Sequence, residues 1–265
     1  MRNYYSLINS MGSGAAAIDA DAQAFITAAS ITDSTQQTAI NTLVTDLKGY
    51  GIWSKMKAIY PFVGGTASTH KFNLKDPRDL DVAFRLTFNG GWTHSSTGAK
   101  PNGTTGYANT FLSPISNLVS TSGFGYYSRT NSTIGNQSDM GLLTYTPVKT
   151  FALTRVGTLS YFSANGDDSS SFTDTDTRGF YQVYRTNSTT VKALKNTTSY
   201  SATLPLAIPS GVVIIGARNE NTLPSLFSFK EFAFTYIQEN FNDTDALNLN
   251  TAVQAYQTTL GRQVI

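Results

Sequence analysis

The chain has 265 residues, 19 Lys+Arg against 17 Asp+Glu, a net charge of +2, and only 14% charged residues, where a typical soluble domain carries about 25%. The near-neutral balance excludes a phosphate-tracking nucleic-acid binder, and the absence of Cys excludes disulfides, thiolate metal sites and Cys nucleophiles. Hydrophobic residues at 40%, with 16 Phe and 14 Tyr, are enough for a core and exclude wholesale disorder. No apolar run approaches the roughly 20 residues of a membrane span.

Residues 1–24 read as an N-terminal arm. MRNYYSLINSMGSGAAAIDA has one Arg and no apolar signal-peptide core, so no export is expected. The arm is expected to be disordered, or to attach to a partner chain through Arg2, Tyr4, Tyr5, Leu7 and Ile8. Residues 25–265 read as one all-β domain with an amphipathic helix near each end. The first helix, about 33–48, has Asp33 as cap and Gln36 as its capping-box partner. Ile40, Leu43, Val44 and Leu47 follow at helical spacing, and Gly49 and Gly51 stop the run.

Strand-like segments come next: VAFRLTF from Val82, FGYYSRT from Phe124, GLLTYTP from Gly141, KTFALTRVG from Lys149 and TLSYFSA from Thr158. GFYQVYRT from Gly179, TTVKALK from Thr189, GVVIIGARN from Gly211 and FSFKEFAFTYI from Phe227 complete the set. Their spacing, without helical patterns between them, predicts antiparallel sheets in a β-sandwich. The long segment from Gly90 to Pro114 is expected to be a functional loop or an edge cover. NGDDSSSFTDTDTRG, from Asn165, reads as an exposed polar hairpin tip. A closing helix, about 244–260, is capped by Asn242 or Thr244, steps through Leu249, Val253, Tyr256 and Leu260, and ends at Gly261.

Glycoside hydrolysis needs two carboxyls flanking a bond, and the three Glu are Glu220, Glu231 and Glu239. Glu231 reads as an exposed strand residue, and Asp76, Asp79 and Asp81 beside Arg78 read as a turn with a local ion pair. His70 and His94 lack a nucleophile-elbow context and read as loop hydrogen-bonders. Asp167, Asp168, Asp174 and Asp176 offer oxygens for calcium, but not at EF-hand offsets. Solvation is the expected role of this cluster, and no metal or cofactor is assigned. Sugar binding needs aromatic faces and amide partners. Trp92, Asn102, Tyr107, Asn109, Tyr126 and Tyr127 are the candidate ligand contacts, while Trp53 is expected to pack beneath the first helix.

The stretch from Phe25 to Pro114, carried by IWSKMKAIYPFVGG and FRLTFNGGWTHS, resembles a recurrent module in virion proteins of tailed bacteriophages, crAss-like and related gut phages especially. The tail from GARNENTLPSLF to QAYQTTLG resembles the last part of concanavalin A-like (LamG-type) domains. Together the two cover most of residues 25–263. The resemblance implies a concanavalin A-like jelly-roll β-sandwich. It also implies a non-enzymatic structural virion protein: a fibre, spike or decoration subunit on head or tail, made in the host cytoplasm. Its partners would be capsid or tail proteins and further copies of itself, a homotrimer being the expectation for a fibre or spike. Host surface glycans are a further implied contact, whereas nucleic acid, membrane insertion and cofactors are not implied. With only a short arm before the domain, the chain reads as a stand-alone virion subunit. A lectin module for host glycans is the alternative, and a glycosidase or polysaccharide lyase the third reading.

Overall fold

The computed structural model describes residues 17–132, 135–145 and 147–264. Helix α1, Ala20–Ala28, starts where the Asp19 carboxylate accepts the Asp21 N–H. The boundary read after residue 24 therefore falls inside a helix, and Arg2, Tyr4, Tyr5, Leu7 and Ile8 lie outside the described residues. Helix α2, Ser34–Gly49, is capped by Asp33 accepting from the Gln36 N–H. Gly51 follows at φ 72°, a left-handed conformation that costs glycine little. Two single turns, α3 at Ala67–His70 and α4 at Pro114–Asn117, precede the closing helix α5, Asp243–Thr259. Asn242 caps α5 in a reciprocal box with Asp245.

The strands are β1 (Met56–Tyr60), β2 (Thr87–Asn89), β3 (Trp92–Ser95), β4 (Gly98–Pro101), β5 (Tyr107–Asn109), β6 (Ser122–Ser128), β7 (Gln137–Tyr145), β8 (Val148–Val156) and β9 (Leu159–Gly166). They continue as β10 (Ser170–Thr173), β11 (Gly179–Arg185), β12 (Thr190–Lys195), β13 (Thr198–Thr203), β14 (Ile214–Ile215), β15 (Arg218–Glu220), β16 (Leu223–Ser225) and β17 (Phe232–Glu239). One sheet runs β13-β12-β11-β6-β17-β4-β3, with β1 also on β17. The other runs β10-β9-β8-β7-β14-β5-β2, with β15 parallel to β7 and β16 antiparallel to β15. The result is a β-sandwich, as the strand pattern predicts.

Two apolar layers hold it together. Phe124, Tyr126 and Val183 of the first sheet meet Met140, Phe151, Leu153 and Phe162 of the second in the inner core. On the far side of the first sheet, Tyr127, Phe180, Phe234 and Tyr236 pack against Phe25 of α1, Leu43 of α2 and Val253 of α5. Burying each large side chain contributes about 1.5–3 kcal/mol. The three helices thus roof the outer face of the first sheet. Trp53 is partly buried against this layer, with the Lys75 ammonium 4.2 Å from its ring centroid.

Three strand readings need correction. VAFRLTF does not run as one strand: Asp81–Ala83 is a single tight helical turn, Phe84 takes φ 58°, and its carbonyl accepts from Tyr60 Oη at 2.6 Å. GVVIIGARN is split at Gly216 (φ 82°), where a Cβ would stand 3.0 Å from the Trp92 ring. FSFKEFAFTYI becomes strand only from Phe232, and a bulge between Phe232 and Phe234 breaks the two-residue alternation. Phe232 therefore enters the inner core, while Phe234 and Tyr236 lie under the helices. The segment from Gly90, expected as a loop, contains β3, β4 and β5.

Candidate functional site

With helices over the first sheet, the outer face of the second sheet is the broad surface left to meet a ligand. Alternation along β8 sends Phe151 and Leu153 into the core. Thr150, Ala152, Thr154 and Val156 face outward and line a groove of about 450 Å³. Its floor is low because small residues meet across three strands: Gly141 pairs with Ala152, and Ala152 with Ser163. A Cβ at Gly141 would stand 2.4 Å from the Ala152 Cβ, so the floor tolerates no side chain there. Leu143 and Tyr145 of β7, Tyr161 of β9, Arg218 of β15 and Leu226 form the walls, with Asp168 and Ser169 at the rim.

The charges on one wall are neutralised in place. Arg218 Nη2 donates to Glu220 Oε2 at 2.8 Å, and Tyr145 Oη and Ser225 Oγ also donate to Glu220. Burial pushes the Arg218 guanidinium below its ordinary range. The β15–β16 turn, with Asn221 and Thr222 at φ 47° and 80°, fixes this wall as a tight hairpin, and Asn221 Oδ1 accepts the Tyr145 N–H at 3.2 Å. Thr154 Oγ1 is committed to Ser138 Oγ at 3.1 Å. The groove offers aromatic and aliphatic walls, a few hydroxyls, the Asp168 carboxylate and an internally compensated ion pair. Such a surface suits a ligand with C–H faces and neutral hydroxyls.

The sequence-predicted contacts are scattered. Trp92, with Lys100, Pro101, Asn102 and Phe229, lines a separate depression of about 440 Å³. The Trp92 indole N–H donates to the Asn89 and Tyr107 carbonyls at 3.1 and 3.3 Å. Asn102 Oδ1 accepts the N–H groups of Thr104, Thr105 and Gly106, and Asn109 Oδ1 accepts that of Phe111 at 2.8 Å. Both amides therefore shape loops. Tyr107 is half-buried on β5. Tyr126 and Tyr127 are corrected outright: both are fully buried, because β6 lies mid-sheet between β11 and β17. Tyr126 Oη donates to Asp139 Oδ2 at 2.5 Å, and Tyr127 Oη accepts the Val264 N–H at 3.1 Å.

The sequence reading missed Tyr145, Tyr161 and Arg218. Its one usable signal was the alternation in KTFALTRVG, which places small and β-branched residues on the face opposite Phe151 and Leu153.

The other titratable candidates are structural. Gly65 N–H donates to His70 Nε2 at 3.2 Å, so the His70 proton sits on Nδ1 and faces His94 Nδ1 at 3.0 Å. Burial, then His94 and Arg262, push His70 down to about 3, and burial also lowers His94. Glu231 is not an exposed strand residue: it precedes β17 and is held by Arg129 at 2.9 Å and Thr97 Oγ1 at 2.5 Å. Asp76 pairs with Arg78, and Asp79 and Asp81 with Arg85, which is the local ion-pair turn the sequence suggests.

The expected polar hairpin tip is partly interior. The Asp174 carboxylate is fully buried and meets Lys195 at 2.6 Å and Arg155 at 3.4 Å. Asp176 is held down at about 2, chiefly by its hydrogen bonds from Arg178. With Asp174 and Asp176 committed to cations, the calcium reading loses two of its four carboxylates. Among the described residues no group of three His, Asp or Glu is arranged to hold a metal.

No protein-family model matches the chain, and no curated protein matches it. Solved structures do. The binding domain of botulinum neurotoxin DC in complex with rat synaptotagmin II matches at a TM-score of 0.55 and 9% identity, over 77% of this chain and 53% of that one. The binding domain of botulinum neurotoxin serotype D/C VPI 5993 gives 0.50 and 10%, over 76% and 53%. Domain 4 of AbnA, a GH43 extracellular arabinanase from Geobacillus stearothermophilus, in complex with arabinotriose, gives 0.49 and 11%, over 74% and 98%. The chain spans about half the length of the toxin binding domains it matches. At these identities the likeness to the toxin binding domains shows the fold alone: a β-sandwich of the jelly-roll kind.

Proposed function

We propose that this chain is a non-catalytic glycan-binding β-sandwich that takes a neutral saccharide in the groove of its second sheet. One observation carries the reading: helices roof one sheet, and the other is left open with a small-residue floor between Tyr145 and Tyr161. Aromatic side chains of this kind can stack on sugar C–H faces while hydroxyls orient the ring. A non-catalytic role accords with Glu220, which is held by Arg218, Tyr145 and Ser225. The test is a glycan array probed with the full chain. Binding to neutral oligosaccharides supports the reading, and no binding to any glycan refutes it. Release of reducing ends from a bound glycan would replace it with the glycosidase reading.

We further propose that the chain acts on the particle of a tailed bacteriophage, as a fibre, spike or decoration subunit assembled with capsid or tail proteins. Support comes from the sequence resemblance over most of residues 25–263 and from a low-charge, Cys-free sandwich suited to a particle exterior. Cryo-EM of the intact particle decides it: density for this chain against a capsid or tail protein supports the role, and its absence from the particle refutes it.

A further inference from the structure

An acid–amine pair with both side chains out of solvent lies between the two sheets. A register shift between Ser138 and Met140 makes Asp139 the bulged residue of β7, and the bulge turns its carboxylate into the sandwich. There Lys230 Nζ lies 2.6 Å from Asp139 Oδ2, with the two side chains 1% and 0% exposed. Asp139 belongs to the second sheet, and Lys230 leads into β17 of the first. Tyr126 Oη donates to Oδ2 at 2.5 Å and Ser228 Oγ to Oδ1 at 2.7 Å.

From this geometry we propose that Lys230 and Asp139 become joined by an intramolecular isopeptide bond that staples the two sheets together. The ammonium form of Lys230 faces the Tyr126 and Tyr181 rings at 6.0 and 5.9 Å but is short of hydrogen-bond acceptors. It has three N–H donors, yet among the described residues its one hydrogen-bond acceptor is Asp139. Lys195, by contrast, reaches both Asp174 and the Asp176 carbonyl. Burying a charge without full hydrogen bonding is costly. Transfer of one proton within the pair gives a neutral amine beside a neutral carboxylic acid, with no exchange with solvent.

The amine lone pair then attacks Cγ, which lies no more than one C–O bond beyond Oδ2. The Nζ–Cγ bond forms, the charge developing on Oδ1 faces the Ser228 hydroxyl in the manner of an oxyanion hole, and the Tyr126 hydroxyl sits on the departing Oδ2. The Cγ–Oδ2 bond breaks, and that oxygen leaves as water with the acid's proton and one proton from the amine. Nothing is oxidised or reduced. Condensation is uphill for separate molecules in water, but well-oriented intramolecular reactions reach effective molarities of about 10⁵–10⁸ M. The amide keeps its Oδ1 carbonyl for Ser228. In a chain without Cys, it supplies a covalent cross-link between residues 91 apart in sequence.

The experiment is intact mass spectrometry of the purified, denatured full-length chain, followed by a tryptic map. The expected mass is one water below that of the sequence. Residues 130–149 and 219–262 should then appear as one joined peptide, uncleaved after Lys230, and Lys230→Met should restore the full mass. A wild-type chain at its full sequence mass overturns the proposal, as does a missing water located elsewhere or recovery of the two peptides separately. The wild-type measurement decides even if the variant does not fold.

Discussion

Arg262 is the clearest quantitative handle on the layer between helices and sheet. It is 1% exposed and sits just past α5, where Gly261 turns the chain at φ 64°. Its guanidinium donates to the carbonyls of Phe62 at 2.8 Å, Ala233 at 2.9 Å and Pro61 at 3.2 Å, and to Gln257 Oε1 at 3.0 Å. It thus ties the end of α5 to the loop after β1 and to the bulge in β17. Arg262→Met keeps the aliphatic stem and removes the donors. Pro61 O retains Tyr256 Oη, and Ala233 O retains Gln257 Nε2, but Phe62 O and Gln257 Oε1 are left dry. Each orphaned buried acceptor costs about 1–3 kcal/mol. Two give about 2–6 kcal/mol. For a chain of this size the melting temperature should fall by about 2–4 °C per kcal/mol. Urea unfolding followed by circular dichroism should show a lower midpoint with an unchanged slope. A loss below about 1 kcal/mol would refute the reasoning, because the buried carbonyls would then have found water.

Other expectations follow from single contacts. Folded His70 titrates near 3 against an ordinary 6.5. Between those values the unfolded chain binds more protons, so stability should fall as pH drops from about 6.5 toward 3, by a few kcal/mol in all. Denaturant midpoints measured across that range should show this slope in wild type and a shallower one in His70→Asn; equal slopes would contradict the assignment. Asn242→Ala breaks the α5 capping box and should cost about 0.5–2 kcal/mol in a urea titration. Tyr161→Ala removes one wall of the groove and should weaken saccharide binding about tenfold or more by calorimetry, the scale of a loss of 1.4 kcal/mol.

The parts of the fold that local rules control are legible in the sequence. Asp33 and, at the last helix, Asn242 announce their helices through cap chemistry, although the Gln36 side chain accepts from the Gly64 N–H instead of closing the expected box on Asp33. FGYYSRT and KTFALTRVG declare strands through β-branched and aromatic content. Helix α1 escapes because its Ala-rich run offers little contrast between faces. VAFRLTF misleads because tertiary contacts hold Phe84 in a left-handed turn that propensity disfavours. The candidate site is less legible still. Tyr126 and Tyr127 have the composition of a sugar platform, but their depth depends on β6 standing mid-sheet, a long-range fact. The groove depends on Gly141, Ala152 and Ser163 meeting across three strands, and no local pattern encodes that meeting.

The central claim is that the open face of the second sheet binds a neutral glycan. Its most direct test is a two-dimensional NMR titration of the isotope-labelled chain with the best neutral oligosaccharide from the array. The account predicts that perturbed amides will cluster on Leu143, Tyr145, Ala152, Tyr161 and Arg218. Perturbations centred instead on Trp92, Lys100 and Phe229 would move the site to the other depression and contradict the account.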